Sequence, residues 1–213
     1  MAVDEFRIGR YTAAQVDGTD KKAVLGRFGD VLTQLYGQYY EVTKSKLLWH
    51  AQVTDAGVAP GTDSVSTTQA VSVYNPAGSG FDVVILVARL CYHSGTLGAG
   101  EMLWTKNTNP LAAAVSGTAM SVSNGYLGDV TPPGGVLFLQ AATVPAAPTL
   151  MRVMCSLDAT LATTASIGAQ VVLDEVGGAI IVPAGMSVNL AADAAAGSTP
   201  LVSISISALI LPA

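Results

Sequence analysis

Short apolar segments that end at glycine, proline or asparagine follow one another along residues 69–213. This spacing limits the possible folds more than any other feature of the sequence. The clearest segment lies near the C-terminus, where Val202, Ile204 and Ile206 alternate with serines. A period of two gives a strand one apolar face and one small, polar face. Many short strands at close spacing are typical of a β-sandwich or a β-barrel.

The same criteria predict strands elsewhere in this region. Residues 81–90 form a β-branched run of the kind found in buried strands. Residues 171–183 predict a hairpin, and Pro183–Met186 predicts a turn into the next strand. The other predicted strands are Val71–Val73, Glu101–Lys106, Val136–Ala142, Leu150–Leu157, Gln170–Asp174, Ala179–Val182, Met186–Ala191 and Leu201–Leu211.

A different pattern occupies the N-terminal region, where bulky apolar residues recur every three or four positions. This spacing predicts one apolar stripe along a helix, and Gly37 weakens that helix by about 1 kcal/mol relative to alanine. The helix therefore depends on packing, either against a partner protein or against the chain's own sandwich. The stripe, predicted as the partner-binding site, consists of Phe28, Val31, Leu32, Leu35, Tyr36, Tyr39 and Tyr40.

The chain thus divides into three predicted regions. Residues 1–50 form an N-terminal arm with the amphipathic helix, and residues 51–68 form a linker rich in Gly, Pro, Ser and Thr. Residues 69–213 form the body. The predicted fold class is all-β: an antiparallel, jelly-roll-like β-sandwich with an N-terminal helical arm.

Charge is scarce in the body. Charged residues make up 12% of the chain, against about 25% in ordinary soluble proteins. Residues 51–213 contain three basic residues (Arg89, Lys106 and Arg152) and nine acidic ones. Such a body repels phosphate, so we expect no direct nucleic-acid binding. Strand faces without Lys or Glu lack the usual protection against association, which predicts contact with other subunits.

Nothing in the sequence predicts catalysis or cofactor binding. His50 and His93 are interpreted as hydrogen-bonded surface or edge histidines, since they are too few and too scattered for a metal site or for acid–base chemistry. Asp174 and Glu175 are interpreted as a solvated hairpin tip. We therefore expect a non-enzymatic protein with no metal and no cofactor.

Other function classes are also disfavoured. The glycine-rich segment 94–100 precedes a strand rather than a helix and is interpreted as a loop, not a phosphate site. Cys91 and Cys155 are expected to be small buried hydrophobes rather than a disulfide, because the N-terminus has no pattern of a secretion signal. No uninterrupted apolar run is long enough to predict a membrane span.

Several turn and packing patterns give the chain a resemblance to small virion structural proteins of tailed bacteriophages, of the capsid decoration or cement type. The patterns are Arg27–Asp30, the Gln34–Glu41 helix, Tyr74–Gly80 before an apolar strand, Gly95–Gly100 and the terminal strand. They cover most of the chain and include no catalytic residue.

The resemblance implies a capsid accessory protein in the virion, assembled in the host cytoplasm. It also implies a homo-oligomer, commonly a trimer, that contacts the major capsid protein or neighbouring virion proteins. A tail or head-fibre module that binds a receptor or a carbohydrate is the alternative. A cupin-type enzyme would need a His-x-His cluster, which the two histidines do not form.

Overall fold

The computed structural model of the protein describes residues 39–107, 113–157, 171–194 and 197–213. In this part of the chain, one short helix, α1 (Tyr40–Lys44), precedes eleven strands, and a 3₁₀ turn lies at Pro133–Gly135. The strands are β1 (Leu48–Gln52), β2 (Thr68–Asn75), β3 (Phe81–Ser94), β4 (Gly100–Lys106), β5 (Ser116–Ala119), β6 (Ser121–Asn124), β7 (Leu137–Thr143), β8 (Thr149–Leu157), β9 (Val171–Val182), β10 (Met186–Ala194) and β11 (Leu201–Pro212).

The strands form two antiparallel sheets that pack as a β-sandwich. The five-stranded sheet has the order β6-β1-β11-β3-β9, and the six-stranded sheet has the order β5-β7-β2-β10-β4-β8. Every pair of neighbouring strands is antiparallel. This confirms the predicted all-β sandwich, and the strands predicted at residues 81–90, 101–106, 136–142, 150–157, 186–191 and 201–211 are all present.

The core lies between the two sheets and is built from alternate residues of their strands. Val202, Ile204 and Ile206 of β11 are buried in one continuous cluster with Trp104 and Leu190 from the opposite sheet. The period of two in the sequence therefore decides which side chains face the core. Burial of such large apolar side chains is the main stabilising contribution to the fold.

The sandwich begins at Leu48, inside the segment predicted as an arm. Trp49 and Ala51 are buried and alternate with the exposed, polar His50 and Gln52, so a strand pattern is present there. Residues 53–67 then bond to the sandwich: Val58 exchanges two backbone hydrogen bonds with Val202, and Pro60 accepts one from Ala192. The Gly/Pro content that predicted a linker reflects tight turns in a segment laid along the sandwich.

The predicted hairpin at residues 171–183 is wrong. These residues form one long strand, β9, which pairs along its length with β3. The register shifts where Glu175 pairs with Val87 and Ile180 pairs with Ile85, so the intervening residues bulge out. Gly177 and Gly178 adopt φ of 59° and 87° there. Glycines with positive φ serve a bulge as well as a hairpin turn, and the local sequence does not separate the two.

Two short strands were not predicted. β5 belongs to the six-stranded sheet and β6 to the five-stranded one, so the chain crosses between sheets at the buried Met120. Their sequences, Ser-Gly-Thr-Ala and Ser-Val-Ser-Asn, carry almost no apolar residues. Edge strands with mostly exposed side chains give little hydrophobic signal, which explains the omission.

The predicted N-terminal helix lies almost entirely outside the described residues. Of its apolar stripe, only Tyr39 and Tyr40 are described: Tyr39 immediately precedes α1, and Tyr40 is its first residue. The predicted partner-binding residues Phe28, Val31, Leu32, Leu35 and Tyr36 all lie outside the described ranges.

Candidate functional site

The outer face of the five-stranded sheet brings polar side chains of three neighbouring strands together. Because core residues alternate along β11, Ser203, Ser205 and Ser207 point away from the core. Strand register then sets their neighbours. Gln52 of β1 and Arg89 of β3 flank Ser205, and His50 of β1 lies beside Ser207.

A polar depression of about 290 Å³ lies on this face. Its depth follows from side-chain length: strands are about 4.8 Å apart, so short serines on β11 leave space between the longer side chains of β1 and β3. We call it the serine depression. Its lining residues come from β1, β3, β6 and β11 and are His50, Ala51, Gln52, Arg89, Ser121, Ser123, Ser205, Ile206 and Ser207.

The charge of the serine depression comes from one side chain. Arg89 is exposed and forms no ion pair with any described residue, and no carboxylate lines the depression. Burial, and to a smaller extent the positive charge of Arg89, lowers the pKa of His50. At neutral pH the imidazole is therefore uncharged, and the guanidinium of Arg89 is the positive group.

His50 and Ser207 form the only pair in the depression that resembles a nucleophile and a base. The imidazole Nδ1 lies 2.9 Å from the hydroxyl oxygen of Ser207. Among the described residues, no carboxylate bonds to the imidazole, and Ser207 is buried. A serine hydrolase site needs an orienting acid and an accessible hydroxyl. The pair therefore positions the imidazole ring, and the depression is better suited to binding than to catalysis.

A second distinctive region is the common edge of the sandwich, where β8 and β9 are the last strands of their sheets. Arg152 of β8 and Asp174 of β9 form an ion pair of 2.6 Å across the two sheets. The carboxylate of Asp174 also accepts a hydrogen bond of 2.7 Å from the indole N–H of the buried Trp104. Asp174 is thus a structural link at the sheet edge, and its interpretation as a solvated hairpin tip was wrong.

Around this link, the two edge strands expose large apolar side chains. Those of β8 are Leu150, Met151 and Val153, and those of β9 are Val171, Leu173 and Ile181. Several such residues on unpaired edge strands are unusual, because edges normally carry charged groups that prevent association. We call these six residues the apolar edge.

A third region lies where the N-terminal segment joins the sandwich. Lys46, just after α1, forms an exposed ion pair of 3.0 Å with Asp129 and lies 5.9 Å from the centre of the Tyr126 ring. The loop that carries Tyr126 and Asp129 also exposes Leu127, which is 81% accessible, and Val130. Apolar residues are therefore exposed on a loop that contacts the residues of α1 and those just after it.

The histidines are hydrogen-bonded and exposed, as interpreted from the sequence, but His50 lies within β1 rather than between a helix and a linker. His50 and His93 are both exposed on strands and contact serines of β11; His93 Nδ1 lies 3.2 Å from the hydroxyl oxygen of Ser203. What the sequence analysis missed is that His50, Gln52 and Arg89 meet across three strands. The apolar–polar alternation of residues 49–53 was the signal that could have placed two of them on one face.

Other site types were sought in the described ranges. No group of three or more His, Cys, Asp or Glu side chains comes together there as metal ligands would. Cys91 and Cys155 are half-buried free thiols on strands of different sheets. None of the helices in these ranges has the length and hydropathy needed to cross a membrane.

Comparison with protein-family models, with curated proteins and with solved structures finds no match to this chain.

Proposed function

We propose that the protein is a capsid-associated structural protein of a virus particle, of the decoration or cement type, which packs beside copies of itself and docks through its N-terminal segment. The observation that carries this proposal is the apolar edge. Its six large apolar side chains are each between 41% and 65% exposed and lie on two edge strands, where a partner would remove them from water. The occupant we assign to it is a second copy of the chain.

The charge distribution favours the same occupant. Within the apolar edge, Arg152 and Asp174 neutralise each other. Two exposed charges without an ion pair to any described residue are also present: Glu175 on β9, and Arg89 on β3 opposite Leu173. The surface therefore carries one unpaired charge of each sign beside the ion pair, so its net charge is near zero and repulsion between copies is limited. The low charge of the whole chain leaves little long-range repulsion between copies.

The strand order is consistent with a virion role. If β5, β6 and β7 are treated as an insertion, the remaining strands alternate between a sheet β1-β11-β3-β9 and a sheet β2-β10-β4-β8. We interpret this arrangement as a jelly roll, a fold found in viral capsid proteins and in lectins. The fold by itself does not decide the function, so the proposal depends on the edge and on the N-terminal segment.

Self-association is tested with charge placed on the apolar edge. We expect the intact chain to sediment as an oligomer, a trimer by the resemblance, and the double variant Leu150→Lys/Leu173→Lys to sediment as a folded monomer. The control is Thr118→Lys on the exposed edge strand β5, at the other side of the sandwich, which should leave the oligomer intact. A monomeric intact chain at micromolar concentration would count against this part of the proposal.

Docking through the N-terminal segment is tested by removing residues 1–38, a cut that leaves β1 and Trp49 in place. We expect the truncated chain to stay folded and oligomeric but to be absent from purified particles of the virus that encodes it. The less disruptive variant Leu32→Asp/Leu35→Asp should have the same effect, because it puts charge on the apolar stripe. Gln34→Asp, which lies off the stripe, is the matched control.

Two outcomes separate the alternatives for the stripe. If the truncated chain aggregates or melts well below the intact protein, the stripe packs on the chain's own sandwich. If the stripe variant still enters particles at full occupancy, the docking proposal is wrong. If mass spectrometry detects no copy of the intact chain in purified particles, the assignment of the protein to the virion is wrong.

A further inference from the structure

The serine depression lies on the outer face of the five-stranded sheet, away from the core, and its Arg89 lies opposite Leu173 of the apolar edge. It is a formed concavity rather than a flat polar surface, because β11 places the short Ser205 and Ser207 between the longer side chains of β1 and β3. The contact between His50 and Ser207 holds one wall in position. Its volume of about 290 Å³ is at the small end of the range for ligand pockets.

The charge of the depression selects the sign of a ligand. Arg89 has no ion-pair partner among the described residues, although acidic residues outnumber basic ones in the chain. A guanidinium presents a planar set of N–H donors that match a carboxylate, often through two parallel hydrogen bonds. An oxyanion is therefore the group that Arg89 is equipped to bind.

The neutral groups around Arg89 indicate which other functional groups the ligand carries beside its carboxylate. Gln52 offers an amide that both donates and accepts, and Ser121, Ser123 and Ser205 offer hydroxyls with the same dual capacity. Ala51 and Ile206 also border the depression, but their side chains are buried in the core, so the side chains that face a ligand are polar. A ligand with several hydroxyl groups beside its carboxylate satisfies these groups, whereas an apolar or purely cationic ligand does not.

We propose that the serine depression binds an acidic sugar residue, with Arg89 on the carboxylate and Gln52, Ser121 and Ser205 on the ring hydroxyls. Apart from the imidazole of His50, no aromatic ring lines the depression, so binding lacks the stacking that strengthens many sugar sites. We expect weak affinity, with a Kd on the order of 1 mM. The binding chemistry does not rest on the capsid role proposed above, and the two surfaces meet at Arg89 and Leu173.

The test is a titration of the intact, isotope-labelled chain followed by amide NMR shifts. Sodium glucuronate should shift the amides of residues 50–52, 89 and 205 with a Kd on the order of 1 mM, and glucose, its neutral counterpart, should bind at least tenfold more weakly. Sodium acetate should also bind at least tenfold more weakly. If glucose binds as tightly as glucuronate, the carboxylate does not contribute to binding. If acetate binds as tightly, the sugar hydroxyls do not contribute. Either result overturns the proposal.

Variants locate the site. Arg89→Gln should weaken glucuronate binding at least tenfold while leaving the dispersion of the amide spectrum unchanged, since the side chain is exposed. Lys106→Gln removes an exposed cation from the other sheet and should leave the affinity unchanged. Unchanged binding by Arg89→Gln, or equal losses in both variants, would overturn the assignment.

Two further ligands define the source of the sugar. A disaccharide with glucuronate at its non-reducing end should bind at least as tightly as the monosaccharide, as expected for recognition of a glycan terminus. A glutamate-containing peptide should bind more weakly than glucuronate. Tighter binding of the peptide would overturn the proposal in favour of a protein carboxylate as the ligand. None of these outcomes depends on sedimentation or particle incorporation, so this inference and the capsid proposal fail separately.

Discussion

The two outer faces of the sandwich carry the same kinds of residue in opposite surroundings. On the six-stranded sheet, Ser72, Asn189 and Thr105 lie side by side across β2, β10 and β4. On the five-stranded sheet, a similar row crosses β1, β11 and β3 and includes Ser205 and Arg89. Ser72, Asn189 and Thr105 are fully buried, whereas Arg89 is exposed and Ser205 is partly exposed.

The buried row belongs to a closed hydrogen-bond network. Ser72 donates to the side-chain oxygen of Asn189 at 2.7 Å, and the amide of Asn189 donates to Asn107 at 3.0 Å. Ser187 donates to the same oxygen of Asn107 at 2.8 Å, and Thr105 donates to Gln69 at 3.1 Å. These contacts give the buried side chains partners that replace water.

The network also anchors the segments that cover it. The amide of Gln69 donates to the carbonyls of Ser64 and Ser66, and the amide of Asn107 donates to the carbonyl of Ala146. Two loops are thus fixed over the six-stranded sheet, while no described segment covers the serine depression. Similar rows of polar side chains therefore serve different purposes on the two faces. The buried row of the six-stranded sheet holds loops in place, and the exposed row of the five-stranded sheet is available to a ligand.

The largest expected effect tests the covered face. Replacing Asn189 with Leu removes the partner of Ser72 and one partner of Asn107, so buried polar groups lose their hydrogen bonds. We expect a loss of about 3 kcal/mol in the free energy of unfolding, measured by urea denaturation. Ser205→Ala on the open face is the matched change and should cost less than about 0.5 kcal/mol. Similar losses at the two positions would contradict the comparison.

The edge between the two faces should show an intermediate effect. Asp174→Ala leaves the indole N–H of Trp104 buried without its acceptor, and we expect a loss of about 2 kcal/mol in the same measurement. Arg152→Ala removes the more exposed partner of the ion pair and should cost about 0.5 kcal/mol. A larger loss for Arg152→Ala than for Asp174→Ala would mean that the ion pair, rather than the buried indole contact, stabilises the edge.

A single added methyl group sharpens the comparison further. Ser72→Thr enlarges a side chain in a fully buried row and should destabilise the fold by about 1 kcal/mol through overpacking. Ser205→Thr adds the same methyl group on the open face, where threonine favours the strand, and should change stability by less than about 0.5 kcal/mol in either direction. Thermal and urea denaturation of the two variants measure the difference. A loss at Ser205 alone would contradict the comparison.

The smallest effect concerns the dependence of stability on pH. Because the pKa of His50 is lower in the folded chain than the ordinary 6.5, the unfolded chain binds more protons between these two pKa values. Stability from this residue should therefore be fully present above pH 6.5 and fall as the pH drops through the folded pKa. Melting temperatures across this range should decline slightly more steeply for the intact chain than for His50→Gln. Parallel curves would mean that the depression does not shift the pKa of His50.

The strands that could be predicted from sequence are those with a strong local pattern. In β11, alternation alone identifies the core-facing residues, and in β3 a β-branched run identifies a buried strand. β9 shows where this approach fails, because Gly177 and Gly178 fit a bulge as well as a turn. The choice depended on whether both halves of the segment pair with β3, which is a contact between residues distant in sequence.

The sequence predicts single parts of the candidate site but not how they come together. Alternation places Ser203, Ser205 and Ser207 on one face of a strand, but Arg89 and His50 join them through the register of β3 and β1. Register is set by the pairing of whole strands, so no local window of sequence contains it. The apolar edge was missed for the same reason: the sequence predicts apolar residues in β8 and β9 without saying that both are edge strands.

The sequence by itself determined the all-β class, most strand positions and the near-neutral character of the body, because these depend on residue type and on a period of two. The tertiary structure decided which polar rows are buried and which are open. Ser72 and Ser205 have the same side chain and similar local patterns, yet Ser72 is fully buried and Ser205 is partly exposed. Burial is a property of what packs on a residue, and that partner is chosen by the fold of the whole chain.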